Sequence, residues 1–231
     1  DLDDIEASMT NARANPLGRL RVDVGTSVAQ LLIIPHLAEF QARYPDIQLD
    51  LGVSDRTVDL IGDNVDCVIR GGALSDQSLV ARRIGNLEFL TVASPDYLAR
   101  KGTPAHPLEV EEKHSSLLYF SPQSGRHYPL EFVKGSESID ITGPYQLSVN
   151  EANAYVTSVL AGLGIGQITS YQAQQHLQNG ALVRLMPEWT QPPLPVYVVY
   201  PPNRHLSAKV RAFVDWAAEL FQRETHLQRT Q

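Results

Sequence analysis

Apolar residues recur at every second position over Leu20, Val22 and Val24, and the alternation stops at Gly25. Period two marks a strand with one buried face. Thr26 and Ser27 follow, residue types that favour a helix start. Val28, Leu31, Leu32, Leu37 and Phe40 then share one side of a helix. Pro35 falls inside it and predicts a kink, because proline has no N–H for the helical ladder; Pro45 stops it. Ile47, Leu49, Leu51 and Val53 alternate as the next strand. The pattern continues with a short helix over 56–62 and a buried strand over 66–70 that runs into Gly71-Gly72. A strand over 87–93 follows, then a helix opened by Ser94-Pro95, with Ser as N-cap and Pro at the first helical position. Strand, helix, strand, helix in this order predicts a mostly parallel sheet covered by helices.

Residues 101–107 form a turn-rich connection. Beyond it, strands are expected over 117–120, 139–141 and 145–149. Asn150 opens a helix to about Leu160, broken by Gly162, Gly164 and Gly166, and a strand covers 165–169. Ser170 caps a polar helix that Gly180 ends. Strands over 182–185 and 196–200 flank a proline-rich stretch. Ser207 caps a last helix whose Val210, Phe213, Val214, Ala217, Leu220 and Phe221 form one apolar stripe. The layout of 20–37 recurs at 145–164, so each copy opens the sheet of its own lobe. Two α/β lobes bind ligands where strand carboxyl ends and helix N-termini meet. At the start, Leu2, Ile5 and Met9 have helical spacing and Asn15-Pro16 closes the segment. It reads as the end of a helix begun upstream, or as a tail.

The chain has 231 residues, 43% hydrophobic, with a formal net charge of −7. An acidic chain is a poor candidate for gripping a phosphate backbone by itself. One cysteine excludes an intrachain disulfide. No run approaches the roughly 18 apolar residues of a membrane helix, and the acidic first ten residues are not an export signal. What remains is an acidic α/β protein.

Catalytic spacing is absent: there is no P-loop, no His-Glu-x-x-His and no Gly-x-Ser-x-Gly. The seven histidines are scattered, and none stands at metal-ligand spacing with another or with Cys67. Cys67 itself lies in an apolar run and reads as a packed, inert thiol. Gly162-Leu163-Gly164-Ile165-Gly166 imitates a dinucleotide loop, but that loop follows a strand and opens a helix. Here the glycines follow a helix and lead into a strand, which suits a C-cap and close backbone packing. Asp55 and Asp59, one helical turn apart, read as a solvated rim. No cofactor, metal or enzyme activity is expected. The remaining signal is for binding. Thr26 and Ser27, where a strand ends and a helix begins, either hold a carboxylate or similar anion or only cap the helix. Asn150 holds the matching position in the second half. Arg70 ends a buried strand and pairs either with an acidic ligand or with an aspartate of the chain.

Several segments are recognisable together. They are Leu20-Arg21-Val22-Asp23-Val24-Gly25, the run Pro35-His36-Leu37 to Tyr44-Pro45-Asp46-Ile47, and Val65-Asp66-Cys67-Val68-Ile69-Arg70-Gly71-Gly72. Ala93-Ser94-Pro95-Asp96-Tyr97-Leu98 and Val149-Asn150-Glu151-Ala152 precede Ala161-Gly162-Leu163-Gly164-Ile165-Gly166. In that order and spacing they closely resemble the effector-binding domain of bacterial LysR-type transcriptional regulators, over about residues 18–220. The resemblance implies an α/β fold of two Rossmann-like lobes with a ligand cleft, like type 2 periplasmic binding proteins. Residues 1–16 would be the end of a linker helix, 17–93 and 199–231 lobe I, and 94–198 lobe II, with crossings near Ala93 and in the strand over 196–200. The DNA-binding winged helix-turn-helix of the family is missing from this chain, so DNA contact would come only through that part.

Carried over position by position, the effector pocket falls on Thr26, Ser27, Val28, Arg70 and Gly71 in lobe I. In lobe II it falls on Phe120, Ser121, Asn150, Gln167 and Ile168. Where the family often has an apolar residue or a proline turn, Gln167-Ile168-Thr169-Ser170 is more polar, implying a more polar effector or a changed loop. The resemblance also implies a cytoplasmic homodimer, tetrameric in the full-length regulator, without membrane contact. Its interface would use Leu31, Leu32, Phe40, Ile47, Leu49 and Leu51, unless these face their own core. The partner expected is a small-molecule effector, with a carboxylate as one candidate. The alternative on the same fold is a periplasmic solute-binding protein for uptake of a small anionic ligand. An enzyme on this scaffold would need a nucleophile–base pair, and the site residues offer none.

Overall fold

The computed structural model describes residues 15–72, 76, 78–202 and 206–224. The expected linker-helix end falls almost wholly on 1–14, outside the described residues. The rest divides into two compact units, one from the chain up to Gly85 and from Pro195 onward, the other from Asn86 to Leu194.

In the first unit Leu20, Val22 and Val24 are fully buried along β1 (Gly18–Val24). β1 pairs in parallel with β2 (Ile47–Val53) and β3 (Cys67–Gly71). β13 (Leu194–Tyr200) runs antiparallel to β3, and β4 (Val80–Leu87) closes the order β2-β1-β3-β13-β4. Helix α1 runs from Thr26 to Arg43 in three parts: Thr26–Val28, a widened π turn over Ala29–Ile33, and Ile34–Arg43. The π turn answers Pro35. A proline ring crowds the carbonyl four residues back and donates nothing to it, and the helix relieves this by pairing Ile34 N–H with Ala29, five residues back. The predicted kink is thus taken up as a local widening. α6 (Ala208–Arg223), capped by Ser207 as expected, packs against α1. Phe40 meets Phe213 at 5.6 Å and Trp216 at 5.1 Å between ring centroids. Surface pairs Arg43–Glu219 and Arg223–Glu39 join the same helices and add little, as exposed pairs do.

The short helix expected over 56–62 does not form. Asp59 accepts the Gly62 N–H at 3.1 Å, Val65 N–H reaches Leu60 at 2.9 Å, and Asn64 takes a positive φ of 54°. Side-chain turn chemistry of Asp and Asn competes with the helix and wins.

In the second unit β5 (Phe89–Ala93) pairs antiparallel with β11 (Gly166–Thr169) and β12 (Val183–Arg184). β6 (Ser116–Phe120) pairs in parallel with β10 (Tyr145–Val149) and antiparallel with β7 (His127–Tyr128). A bridge between Ser116 and Ile165 joins the two sheets, and β8 (Leu130–Lys134) and β9 (Glu137–Ile141) form a hairpin. Four helices accompany them: α2 (Pro95–Lys101), α3 (Pro107–Lys113), α4 (Ala152–Leu160) and α5 (Ser170–Gln178). Ser94 caps α2 as expected. Glu151 rather than Asn150 caps α4, and Thr169 with Gln172 forms a capping box at α5 where Ser170 was expected. The glycine run behaves as a C-cap and a close approach. Gly162 has φ of 75° after α4, and a Cβ on Gly166 would lie 2.7 Å from Val159.

The division after Gly85 puts β5 in the second unit, where the sequence reading ended lobe I at residue 93. The reason is pairing: β5's partners β11 and β12 are both there. β13 likewise joins the first unit from Pro195, because its register with β3 begins at Val196–Gly71.

Candidate effector-binding site

In the first unit the parallel pairing of β1 with both β2 and β3 aligns three strand carboxyl ends. Thr26, Ser27 and Val28 form the first turn of α1 after β1, and Gly25, not Thr26 or Ser27, is the N-cap. The donors at Thr26 are matched from within the chain. Asp55, just past the end of β2, accepts the Thr26 N–H at 2.9 Å and its hydroxyl at 3.2 Å. A carboxylate therefore already stands at this helix start, where it is favoured by the exposed N–H groups and the helix dipole. Arg70 ends β3 with Gly71. Its guanidinium donates to the Ser54 carbonyl at 3.4 Å and to the Arg56 carbonyl. The loop 54–56 thus binds together Thr26 and Arg70, which are remote in sequence.

In the second unit Phe120 and Ser121 end β6. Ser121 is buried, and its hydroxyl accepts N–H groups of Gln123 and Ser124 at 3.3 Å each, so it builds its own turn. Asn150 follows β10, and its carbonyl accepts the Tyr119 hydroxyl at 3.2 Å. Gln167 is pinned. Its amide oxygen accepts the Glu131 N–H at 3.1 Å, and its amide nitrogen donates to the Glu131 carbonyl at 2.9 Å and to Thr91 at 3.2 Å. Partial burial, with Asp140 opposite on β9, holds the Glu131 carboxyl above the usual carboxylate range. Ile168, expected in the pocket, is 1% exposed and packs in the core with Val92, Leu117 and Tyr155.

Three of the expected interface residues are also core. Leu32, Phe40 and Ile47 are buried at 1%, 1% and 8% exposure; Phe40 is enclosed by α6. Leu49 and Leu51 are half-buried on β2, an edge strand, and Leu31 is 39% exposed. Cys67 is fully buried, and burial, with Asp66 and Asp23 nearby, pushes its thiol up.

Sequence reasoning read Asp55 as a solvated rim, where it binds Thr26 instead, and passed over Thr91 and Gln191, whose amide also donates to Thr91, at 3.1 Å. Asp55 had a signal: it follows directly on a strand carboxyl end, where open α/β sheets place functional groups. Thr91, inside an apolar strand, had none. Among the described residues no group of three or more His, Cys, Asp or Glu could hold a metal. No helix among them is long and apolar enough to cross a membrane.

Two α/β units whose polar helix starts lie at strand carboxyl ends define the class of type 2 periplasmic-binding-protein folds. A family model, the LysR substrate binding domain, matches residues 13–222, and the chain belongs to that family. It is 37% identical over 229 residues to an HTH-type transcriptional repressor of Pseudomonas aeruginosa, covering 99% of this chain and 72% of the relative. An uncharacterized HTH-type transcriptional regulator of Escherichia coli is 38% identical over 205 residues, with 87% and 67% covered. Among solved structures, the regulatory domain of CrgA, a LysR-type transcriptional regulator from Neisseria meningitidis, matches with a TM-score of 0.76 at 29% identity. That match covers 88% of this chain and 98% of that domain. Full-length AphB of Vibrio cholerae, a virulence activator, matches with a TM-score of 0.76 at 26% identity, over 94% and 74%. The chain is the effector-binding domain of a LysR-type transcriptional regulator, and these relatives lend no support to solute uptake. Regulators of this family bind small-molecule effectors, act as oligomers on DNA and are not classed as enzymes.

Proposed function

We propose that this chain senses a small molecule through Thr26, Ser27, Val28, Arg70 and Gly71 of the first unit and Phe120, Ser121, Asn150 and Gln167 of the second. It passes occupancy to a DNA-binding domain in a cytoplasmic regulator. The observation that carries this reading is the gathering of Thr26 and Arg70 around the loop 54–56 at three aligned strand ends. Binding energy there biases the regulator only as far as the effector's affinity differs between its conformations. Asp55 already supplies a carboxylate at Thr26, so an acidic effector has to displace it or find its counter-charge elsewhere. A thermal-shift screen of small aromatic and aliphatic acids, with their amides and amines, tests this, because a ligand selective for the native state raises the melting midpoint. For any hit, Ser27→Ala and Arg70→Ala each weaken binding at least tenfold; a hit whose affinity both variants leave unchanged refutes the placement.

The same reading includes a homodimer formed through the outer side of α1 and the edge strand β2, where Leu31, Ile34 and Val53 are 39%, 47% and 41% exposed. Leu31→Asp is expected to convert a dimer to a monomer in sedimentation. A wild-type monomer at high concentration contradicts it.

A further inference from the structure

The first unit holds a half-open cavity of about 250 Å³ that none of Thr26, Ser27 or Val28 lines. Its floor is Val68 and Val199, 2% and 1% exposed. Val68 points to the sheet face opposite that of its neighbours Cys67 and Ile69, since successive side chains on a strand alternate. The roof is the segment after β2, where a helix was expected and turns are found. A helix would lay a continuous apolar stripe on this face. The turns leave it open between Leu60, Val58 and Leu79.

The lining sets the chemistry. Among the described residues that line it the apolar ones are all aliphatic, and the charged groups are Asp59, Asp76 and Arg70. Arg70 donates to the carbonyls of Ser54 and Arg56, while Asp59 accepts the Gly62 N–H and Asp76 accepts the N–H and hydroxyl of Ser78. Two carboxylates against one committed guanidinium favour a cation. For size, an apolar cavity of about 150 Å³ holds a benzene ring, so this one takes a six-membered ring with a short polar arm.

We propose that this cavity is a second ligand site, for a small amine whose apolar body lies on Val68 and Val199 and whose ammonium faces Asp59 and Asp76. Arg70 lines the cavity and also holds the loop that carries Asp55 to Thr26, so the amine shares Arg70 with the effector residues but not Thr26, Ser27 or Val28.

Calorimetric titration of the whole chain with cyclohexylamine, cyclohexanol and cyclohexanecarboxylate tests this. The amine is expected to bind at least tenfold more tightly than either analogue. Asp59→Asn with Asp76→Asn lowers the amine's affinity at least tenfold and leaves the alcohol's unchanged, and Val58→Phe, which fills the cavity, removes both. Circular dichroism confirms folding; should Val58→Phe unfold, the aspartate variants still decide. An amine that binds no better than the carboxylate, or whose affinity survives the aspartate changes, overturns the proposal. Loss of amine binding in Ser27→Ala also overturns it, by moving the amine to the effector residues. Unchanged amine binding in that variant supports it, whatever the outcome for the effector.

Discussion

Replacing Gly164 with alanine sets a methyl group against backbone. The new Cβ would lie 2.6 Å from the Ser115 carbonyl oxygen, 3.3 Å from its carbon and 3.2 Å from Leu117 Cγ, where relaxed carbon contacts lie near 3.5–4.0 Å. The oxygen cannot turn aside. It accepts the Ile165 N–H at 2.9 Å, while Leu117 N–H donates to the Ile165 carbonyl at 2.8 Å. These two bonds join the sheet of β6 to that of β5 and β11. Overpacking costs about 1–3 kcal/mol, and straining two hydrogen bonds, each worth about 1 kcal/mol net, brings the expected loss to about 2–4 kcal/mol. Gly102→Ala is the control. Gly102 has φ of 82° with nothing within 4 Å of a built Cβ, so it bears only the left-handed penalty of roughly 1–2 kcal/mol. Urea unfolding measures both. Trp189 lies in the second unit and Trp216 in the first, so fluorescence in a Trp216→Phe background reports the unit that holds Gly164. Hydrogen exchange of Ile165 and Leu117 shows whether the junction loosens. A loss at Gly164 no greater than at Gly102, with both amides still protected, would refute the reasoning.

Phe40→Ala is expected to destabilise the first unit by about 3–5 kcal/mol, because its ring lies against Phe213 and Trp216. A melting loss that appears only above the concentration of self-association would instead make Phe40 an interface residue. Cys67 should resist a thiol-labelling disulfide reagent in the native chain and react fully in urea, since burial disfavours the thiolate; rapid native labelling contradicts this. His114 gives a pH dependence. Tyr97 Oη accepts the Ser115 N–H at 3.1 Å, leaving its own O–H to donate to His114 Nδ1 at 2.9 Å. Burial holds the His114 pKa below its ordinary 6.5, Lys101 and Lys113 adding to the effect against Glu109. The unfolded chain therefore takes the proton first as pH falls. Stability drops below about pH 6.5 until the folded histidine titrates, and His114→Gln should flatten that slope in urea midpoints measured from pH 7.5 to 5. An unchanged slope would show that His114 is not its source.

Elements with clear periodicity were readable before any coordinates. Leu20, Val22 and Val24 alternate and are fully buried, and the stripe from Val210 to Phe221 on α6 lies in the core. Ser94 and Ser207 cap as expected, their hydroxyls accepting the N–H groups of Tyr97 and Val210 three residues on. At α4 and α5 adjacent residues compete, and the side chains that accept the free N–H groups are those of Glu151, from Asn153 and Ala154, and Thr169, from Gln172. β4, with Arg82-Arg83 at its centre, has no alternation to read. The faces of α1 were misjudged for a mechanical reason. A π turn carries more residues than an α turn, so the apolar side computed at 3.6 residues per turn drifts across Ala29–Ile33. Leu31 is thereby left exposed beside the buried Leu32 and Ile33.

The site shows a different limit. Thr26 and Arg70 were legible as donors from their types and their places at strand ends, and Gln167 through the family resemblance alone. Their acceptors were not, since these lie far along the chain: Asp55 is 29 residues from Thr26, and Glu131 is 36 from Gln167. Only the parallel pairing of β1 with two neighbours brings Asp55 to α1, and only the β8–β9 hairpin brings Glu131 to Gln167. Whether a donor at a strand end waits for a ligand or is matched internally is therefore a topological fact. It governs what an effector has to offer. A carboxylate presented to Thr26 meets Asp55, and the like-charge cost at that distance is several-fold larger in a partly buried site than in water. A neutral or donor group beside Asp55 incurs no such cost, so substituting Asp55 should change which ligands bind before it changes how stable the unit is.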